Sequence, residues 1–200
     1  MIFVVTGPSG AGKTTLVRQV LNDVDDVEFS VSHTIRKKRN LEIEGKDYYF
    51  VSVEEFKRMI KEDRFAEWAV VHGNYYGTSK SEMEKKGAHK DIILDIDVQG
   101  AEQIRKRYKG AIFIFIMPPL FPELKRRLES RRDESKEAVK RRLETARKEM
   151  RFYPQFDYII INDKLEEAAE ELESVIRCSR CRFESRKEEV GKILRSFSEV

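Results

Sequence analysis

Four short runs along the chain are almost continuously apolar: Ile2 to Val5, Ile92-Ile93-Leu94, Ile112 to Met117 and Ile159-Ile160-Ile161. Such runs suit strands covered on both faces, as in a parallel sheet, and predict core strands at 2-6, 91-96, 111-117 and 157-161. Between them apolar residues recur at helical spacing, predicting helices at 13-22, 98-107, 122-150 with an interruption, and 164-177. The last sets Leu165, Ala168, Ala169, Leu172, Val175 and Ile176 on one face, with Glu166, Glu167, Glu170, Glu171 and Glu173 mostly on the other. Strands alternating with helices predict an α/β fold whose parallel sheet is covered by helices.

Two stretches break this rhythm. Within 30-82, short aromatic strands around Tyr48-Tyr49-Phe50-Val51 and Trp68 to Val71 flank a helix, and Ser52 with Glu55 forms a capping box at its start. Ser79 with Glu82 is a second such box, and the whole insert reads as a lobe. Residues 122-148 are dense in Arg and Lys, with few large apolar residues beyond Leu124, Leu128, Val139 and Leu143, so they read as a helical flap too polar for core. In the tail, Val190, Ile193, Leu194 and Phe197 recur at helical spacing and predict a short helix docked on the core or on another subunit of a homo-oligomer.

Composition narrows the function classes. Two hundred residues suffice for one domain with a sizeable core, and 39 Lys plus Arg against 36 Asp plus Glu leave a net charge of only +3. That balance argues against a nucleic-acid partner. No run approaches the ~20 apolar residues of a membrane span, and no leader pattern opens the chain, so the expected setting is the cytoplasm, with no membrane partner. The only cysteines, Cys178 and Cys181, have the spacing of half a zinc site, but no second pair follows, and they read as free thiols.

The strongest chemical signal is Gly7-Pro8-Ser9-Gly10-Ala11-Gly12-Lys13-Thr14, which matches G-x-x-x-x-G-K-[ST] between a predicted strand and a predicted helix. The glycines let successive N–H groups turn inward, and the helix N-terminus adds its positive dipole end. Lys13 is expected at the β- and γ-phosphates and the Thr14 hydroxyl at Mg²⁺, with Thr15 completing the loop, so a nucleoside triphosphate with Mg²⁺ is the implied ligand. The blander alternative, a glycine-rich turn with a surface lysine, does not require that strand-loop-helix context.

The loop does not say what receives the phosphate. Arg36 and Arg39, three apart, together with tyrosines beside glycines in Gly45-Lys46-Asp47-Tyr48 and Gly73-Asn74-Tyr75-Tyr76-Gly77, suit a phosphate clamp. Taken alone, each piece also reads as a solvated basic run with structural aromatics.

The P-loop at 7-14, Phe-Ser-Val-Ser-x-Thr-x-Arg at 29-36, Gly-Lys-Asp-Tyr at 45-48, Glu-Trp at 67-68, Gly-Asn-Tyr-Tyr-Gly at 73-77 and Asp-Ile-Asp-Val-Gln-Gly at 95-100 together resemble guanylate kinase, in order and spacing, over about residues 1-175. The resemblance implies a P-loop NTPase three-layer fold with a parallel core sheet (1-31, 83-121 and 149-200), an inserted GMP-binding lobe (32-82) and a helical lid (122-148). It implies phosphoryl transfer from MgATP to GMP or dGMP. Carried over by position, Arg36, Arg39, Tyr48 and Tyr76 hold the GMP phosphate, and Ser32, Glu67, Thr78 and Asp97 read the base. Guanine's N1–H and N2–H₂ are adjacent donors and O6 is an acceptor, so a carboxylate and a hydroxyl suit it and misfit adenine. Arg-Leu-Glu-x-Arg at 127-131 and Lys-Arg-Arg-Leu at 140-143 are similar to the family's lid, which implies Arg131 near the adenine and Arg142 on the transferring phosphate, with Arg127 ranked lower. Asp95 is expected to orient the Mg²⁺ shell. The chain departs from the family at Leu41-Glu42, where Gly-Glu is usual, and at Thr78, where serine is usual. Two other readings compete: a kinase for another small acceptor, against which the guanine-reading set speaks, and a non-catalytic interaction module, against which the intact loop speaks.

Overall fold

The computed structural model describes residues 1–87, 90–130 and 136–198. In chain order the elements are β1 (Ile2–Thr6), α1 (Lys13–Asp23), β2 (Val27–Phe29), β3 (His33–Thr34), β4 (Tyr49–Phe50), α2 (Val53–Lys61), β5 (Phe65–Val71), β6 (Asn74–Ser79), α3 (Lys80–Gly87), β7 (Asp91–Asp95), α4 (Val98–Arg107), β8 (Ile112–Met117), α5 (Phe121–Glu129), α6 (Lys136–Glu149), a 3₁₀ turn (Met150–Gln155), β9 (Tyr158–Ile161), α7 (Leu165–Ser179) and α8 (Phe183–Ser198).

The four apolar runs form β1, β7, β8 and β9. With β2 they make a five-stranded parallel sheet in the order β2-β7-β1-β8-β9. Strand alternation sends Phe3, Val5, Ile112, Ile114 and Ile116 to one face, where Leu16, Val17 and Val20 of α1 and Ala168, Leu172 and Ile176 of α7 close over them. Val4, Ile92, Leu94 and Phe113 point the other way, against Met83 of α3 and Ala101 and Ile104 of α4. The result is three layers. β2 escapes sequence reading because three residues, Val-Glu-Phe, are too few to show a period. One expectation is corrected at β9: as an edge strand it buries Ile160 but leaves Ile159 and Ile161 40% and 57% exposed.

The insert after β2 builds a second, four-stranded sheet in the order β4-β3-β6-β5. Its own small core of Phe56, Met59 and Phe65 is closed by α2, whose Ser52 cap accepts from the Glu55 N–H at 3.1 Å as the capping box predicts. The arginine-rich stretch, expected to be too polar for core, nevertheless has one: Leu124, Leu128, Val139 and Ala146 of α5 and α6 pack together. Few apolar residues suffice because the first two also pack against Gly10, where a Cβ would lie 2.9 Å from Leu124 Cδ1 and 3.1 Å from Leu128. In the tail, α8 leaves Phe183, Ile193 and Phe197 exposed, and both cysteines are exposed free thiols.

Candidate active site

The loop after β1 runs over the C-terminal end of the parallel strands, where open α/β sheets present their ligand crevice. Gly12 (φ +92°) sits in the left-handed region, and its carbonyl accepts from the N–H groups of Thr15 and Leu16 as α1 begins. A side chain there meets a second obstacle, since a Cβ would lie 2.2 Å from Asn162 Nδ2. Asn162 follows β9 and donates to the Ala11 carbonyl at 2.7 Å, pinning the loop to the far edge of the sheet. Lys13 Nζ donates to the Gly7 carbonyl (2.7 Å) and lies 4.0 Å from Asp95, while the Thr14 hydroxyl donates to Asp95 Oδ2 at 2.9 Å. Asp95 ends β7 next to β1, so parallel pairing (Val5↔Asp95) brings the carboxylate to the loop.

The inserted lobe gathers the predicted clamp. Arg36 donates through Nε to the Tyr76 hydroxyl (3.2 Å), and its guanidinium stands over the Tyr48 ring at 5.2 Å. The Tyr48 and Tyr76 rings lie 5.9 Å apart. Burial first, then the Asp95 carboxylate, pushes the Tyr48 phenol up, so it stays protonated. Arg39 is on the exposed rim, and its backbone N–H rather than its guanidinium joins the cluster. Sequence reading missed Glu42, at the Leu41-Glu42 departure. It accepts from Arg36 Nη1 and Nη2 (3.0 and 2.7 Å) and from the Arg39 N–H (2.8 Å). With Tyr76 and the Lys37 carbonyl, these bonds occupy all but one guanidinium N–H. Burial alone would raise the Glu42 carboxyl, but Arg36 and the Arg39 amide outweigh it and hold it low.

At the inner end of the lobe sit the predicted base readers. Glu67 on β5 is 3% exposed and accepts from the Thr78 N–H at 2.9 Å, and the Ser32 and Thr78 hydroxyls are 3.4 Å apart. Asp97 caps α4 by accepting from the Gly100 N–H at 2.9 Å. Gly100 is the hidden member of this set. A Cβ there would fall 2.4 Å from Glu67 Oε2, so the absence of a side chain is what lets β5 and α4 bring Glu67 and Asp97 together. Burial, reinforced by the Asp97 charge, pushes Glu67 up to about 7 against the opposing hydrogen bonds from Thr78.

From the lid, Arg142, expected from sequence on the transferring phosphate, donates to the Ser9 hydroxyl of the P-loop. Arg131 lies outside the described residues. Arg127, ranked low from sequence, instead reaches the Asn162 carbonyl at 3.0 Å and is braced by Glu123 at 2.6 Å. Gly12, Thr15, Arg127, Asn162, Asp163 and Leu165 line a hollow of about 240 Å³ beside the P-loop. A larger one of about 350 Å³ separates the β5–β6 turn from α6 and is lined by Asp97, Arg141 and Glu149 among others. Sequence reading passed over Asn162, although its position just past the C-terminal end of a core strand was a usable signal. Glu42 and Gly100 stand in stretches already compared with the family but were given no role there, and Glu149 carried no signal that local spacing reveals.

The family model for guanylate kinase matches residues 1–179. The guanylate kinase of Geobacter sulfurreducens is 47% identical over 100% of this chain and 96% of its own length. That of Thermotoga maritima is 43% identical over 96% of this chain and 93% of its own. The crystal structure of guanylate kinase from Anaplasma phagocytophilum aligns with a TM-score of 0.77 at 34% identity, covering 91% of this chain and 87% of that one.

Proposed function

The chain belongs to the guanylate kinase family and phosphorylates GMP with ATP, and from that premise we propose how its own residues divide the work. Residues 1-31, 83-121 and 149-200 act as the ATP-binding core, 32-82 as the GMP lobe and 122-148 as the lid. This division is supported by the separate apolar clusters of the two insertions. It accounts for a reaction that must bring two polyanions into line.

The P-loop residues Gly7 to Thr15 hold the ATP phosphates, with Lys13 at the β- and γ-groups, while the hollow beside Asn162 and Arg127 receives the adenosine end. The Thr14 hydroxyl and Asp95 carboxylate are hard oxygen donors joined at 2.9 Å, a set that fits Mg²⁺ with its retained waters. Held there by Thr14 and Asp95, the ion would supply positive charge to the ATP phosphates. Arg36, Arg39, Tyr48 and Tyr76 grip the phosphate of GMP or dGMP, Glu42 keeps Arg36 aimed, and Ser32, Glu67, Thr78 and Asp97 take the guanine edge.

A GMP phosphate oxygen attacks the γ-phosphorus, the bond to the ADP oxygen breaks, and the products are GDP and ADP. The attacking oxygen is already anionic, so no general base is needed. Lys13, Arg36 and Arg142 supply positive charge, and closure of lobe and lid excludes water as a competing acceptor. The expected setting is the cytoplasm; among the described residues no helix is long and apolar enough to cross a membrane.

The observation that carries the guanine assignment is the buried Glu67 carboxyl wedged against Gly100 beside Asp97. Its test is ADP release with MgATP and each of GMP, dGMP, AMP, CMP and UMP, plus a no-acceptor control. Turnover is expected with the two guanine nucleotides alone. Comparable turnover with AMP would overturn the assignment.

A further inference from the structure

Glu149 has no part in the phosphoryl transfer described above, yet it stands at the centre of the site. It is the last residue of α6 and lies seven residues beyond Arg142, so the two share a helix face. Both turn to the same P-loop residue: Arg142 donates to the Ser9 hydroxyl, and Glu149 faces the Ser9 backbone N–H. Glu149 Oε2 is fully buried and has no hydrogen-bond partner among the described residues. Its charged surroundings are Lys13, Asp97 and Arg142.

A carboxylate here is costly in two ways: it is buried with one oxygen unpaired, and it stands where anionic phosphates must come. The apolar contacts that dock α6 on α5 are made by Val139 and Ala146, not by Glu149. What an anion does at this point is hold cations. Glu149 joins the C-terminal end of α6 to the P-loop, whereas Arg142, two turns earlier on the same helix, is the group assigned above to the moving phosphoryl.

We propose that Glu149 is a positioning residue for phosphoryl transfer, anchoring the end of α6 to the P-loop at Ser9 so that Arg142 is delivered to the transferring phosphoryl group. The inference rests on the reading of Arg142 given above.

The test is a double-mutant cycle on the full chain, measuring kcat, the KM for GMP and thermal stability. Glu149→Ala is expected to lower kcat about 30- to 100-fold, the scale of a misplaced catalytic group, with the GMP KM within about threefold and the folded state retained. Glu149→Gln keeps an acceptor for the Ser9 N–H and is expected to recover at least a third of the lost rate on a logarithmic scale. In an Arg142→Ala background, Glu149→Ala is expected to cost less than about threefold more, because its effect passes through Arg142. Full additivity of the two losses overturns the inference, as does near-normal kcat in folded Glu149→Ala, and in both cases the role of Arg142 stands. Near-normal kcat in Arg142→Ala overturns the inference together with the reading beneath it.

Discussion

Replacing Glu67 with glutamine should make the enzyme more stable and less useful, and the two effects should part with pH. The folded chain keeps a proton on Glu67 up to about pH 7, because the carboxyl is buried and faces Asp97, whereas an unfolded carboxyl gives its proton up near the ordinary 4.5. Between those values the folded state binds more protons than the unfolded one, so stability falls as pH rises. The gap corresponds to about 3 kcal/mol, fully felt above pH 7 and absent below 4.5. A glutamine at this position keeps the shape and the acceptor for the Thr78 N–H but cannot ionise. The stability difference between Glu67→Gln and the parent should therefore grow by about 3 kcal/mol from about pH 4.5 to about pH 8. For a chain of this length that is roughly 6 to 12 °C in Tm. Guanine binding moves oppositely, because its two donors require the ionised carboxylate. Below pH 7 the parent's GMP KM should rise about tenfold for each unit of acidification, taken as a ratio to the variant so that the phosphate's own ionisation near pH 6 cancels. At about pH 8 the variant should use GMP at least about 100-fold less well. Thermal melts and the coupled kinase assay across roughly pH 5 to 9 measure both. A stability difference that stays flat with pH, or an unchanged GMP KM on the alkaline side, refutes the reasoning.

Lys13→Met should lower kcat by about three orders of magnitude while circular dichroism and Tm stay near the parent's, since the Lys13 ammonium serves the phosphate loop, donating to the Gly7 carbonyl and lying 4.0 Å from Asp95. Gly100→Ala should raise the GMP KM more than about tenfold with ATP binding unchanged: helix propensity favours alanine by about 1 kcal/mol, but its Cβ would displace Glu67. A GMP KM unaltered by that change would show that the close approach is irrelevant to guanine. Glu42→Ala should loosen Arg36 and raise the GMP KM about tenfold with a smaller change in kcat, whereas a tighter GMP complex, read by calorimetry, would mean that Glu42 competes with the phosphate instead of aiming its partner.

Local order was readable. The apolar runs Ile2 to Val5 and Ile112 to Met117 declare buried strands because both faces of a central parallel strand must be covered. Ser52 announces the start of α2 because the cap and its Glu55 N–H are three residues apart. At β9 the same logic fails: Ile159 and Ile161 look like core, and only the strand order reveals an edge whose outer face is left half open.

The active site divides along the same line. Gly7 to Thr14 could be recognised because a loop that curls its own N–H groups around phosphate is built from contiguous residues, and the spacing of Arg36, Tyr48, Glu67 and Tyr76 carried the family resemblance. Neither the chemistry nor the fold class needed coordinates. The partners that hold those residues in place did. Asn162 reaches Ala11 across 151 positions, Glu67 on β5 meets Gly100 on α4, and Glu149 meets Ser9 from the last residue of α6. Such approaches are set by how the layers pack, to a fraction of an ångström, and no period or motif within one segment records them. The residues that name the chemistry are thus written locally, and those that aim it exist only once the chain has closed on itself.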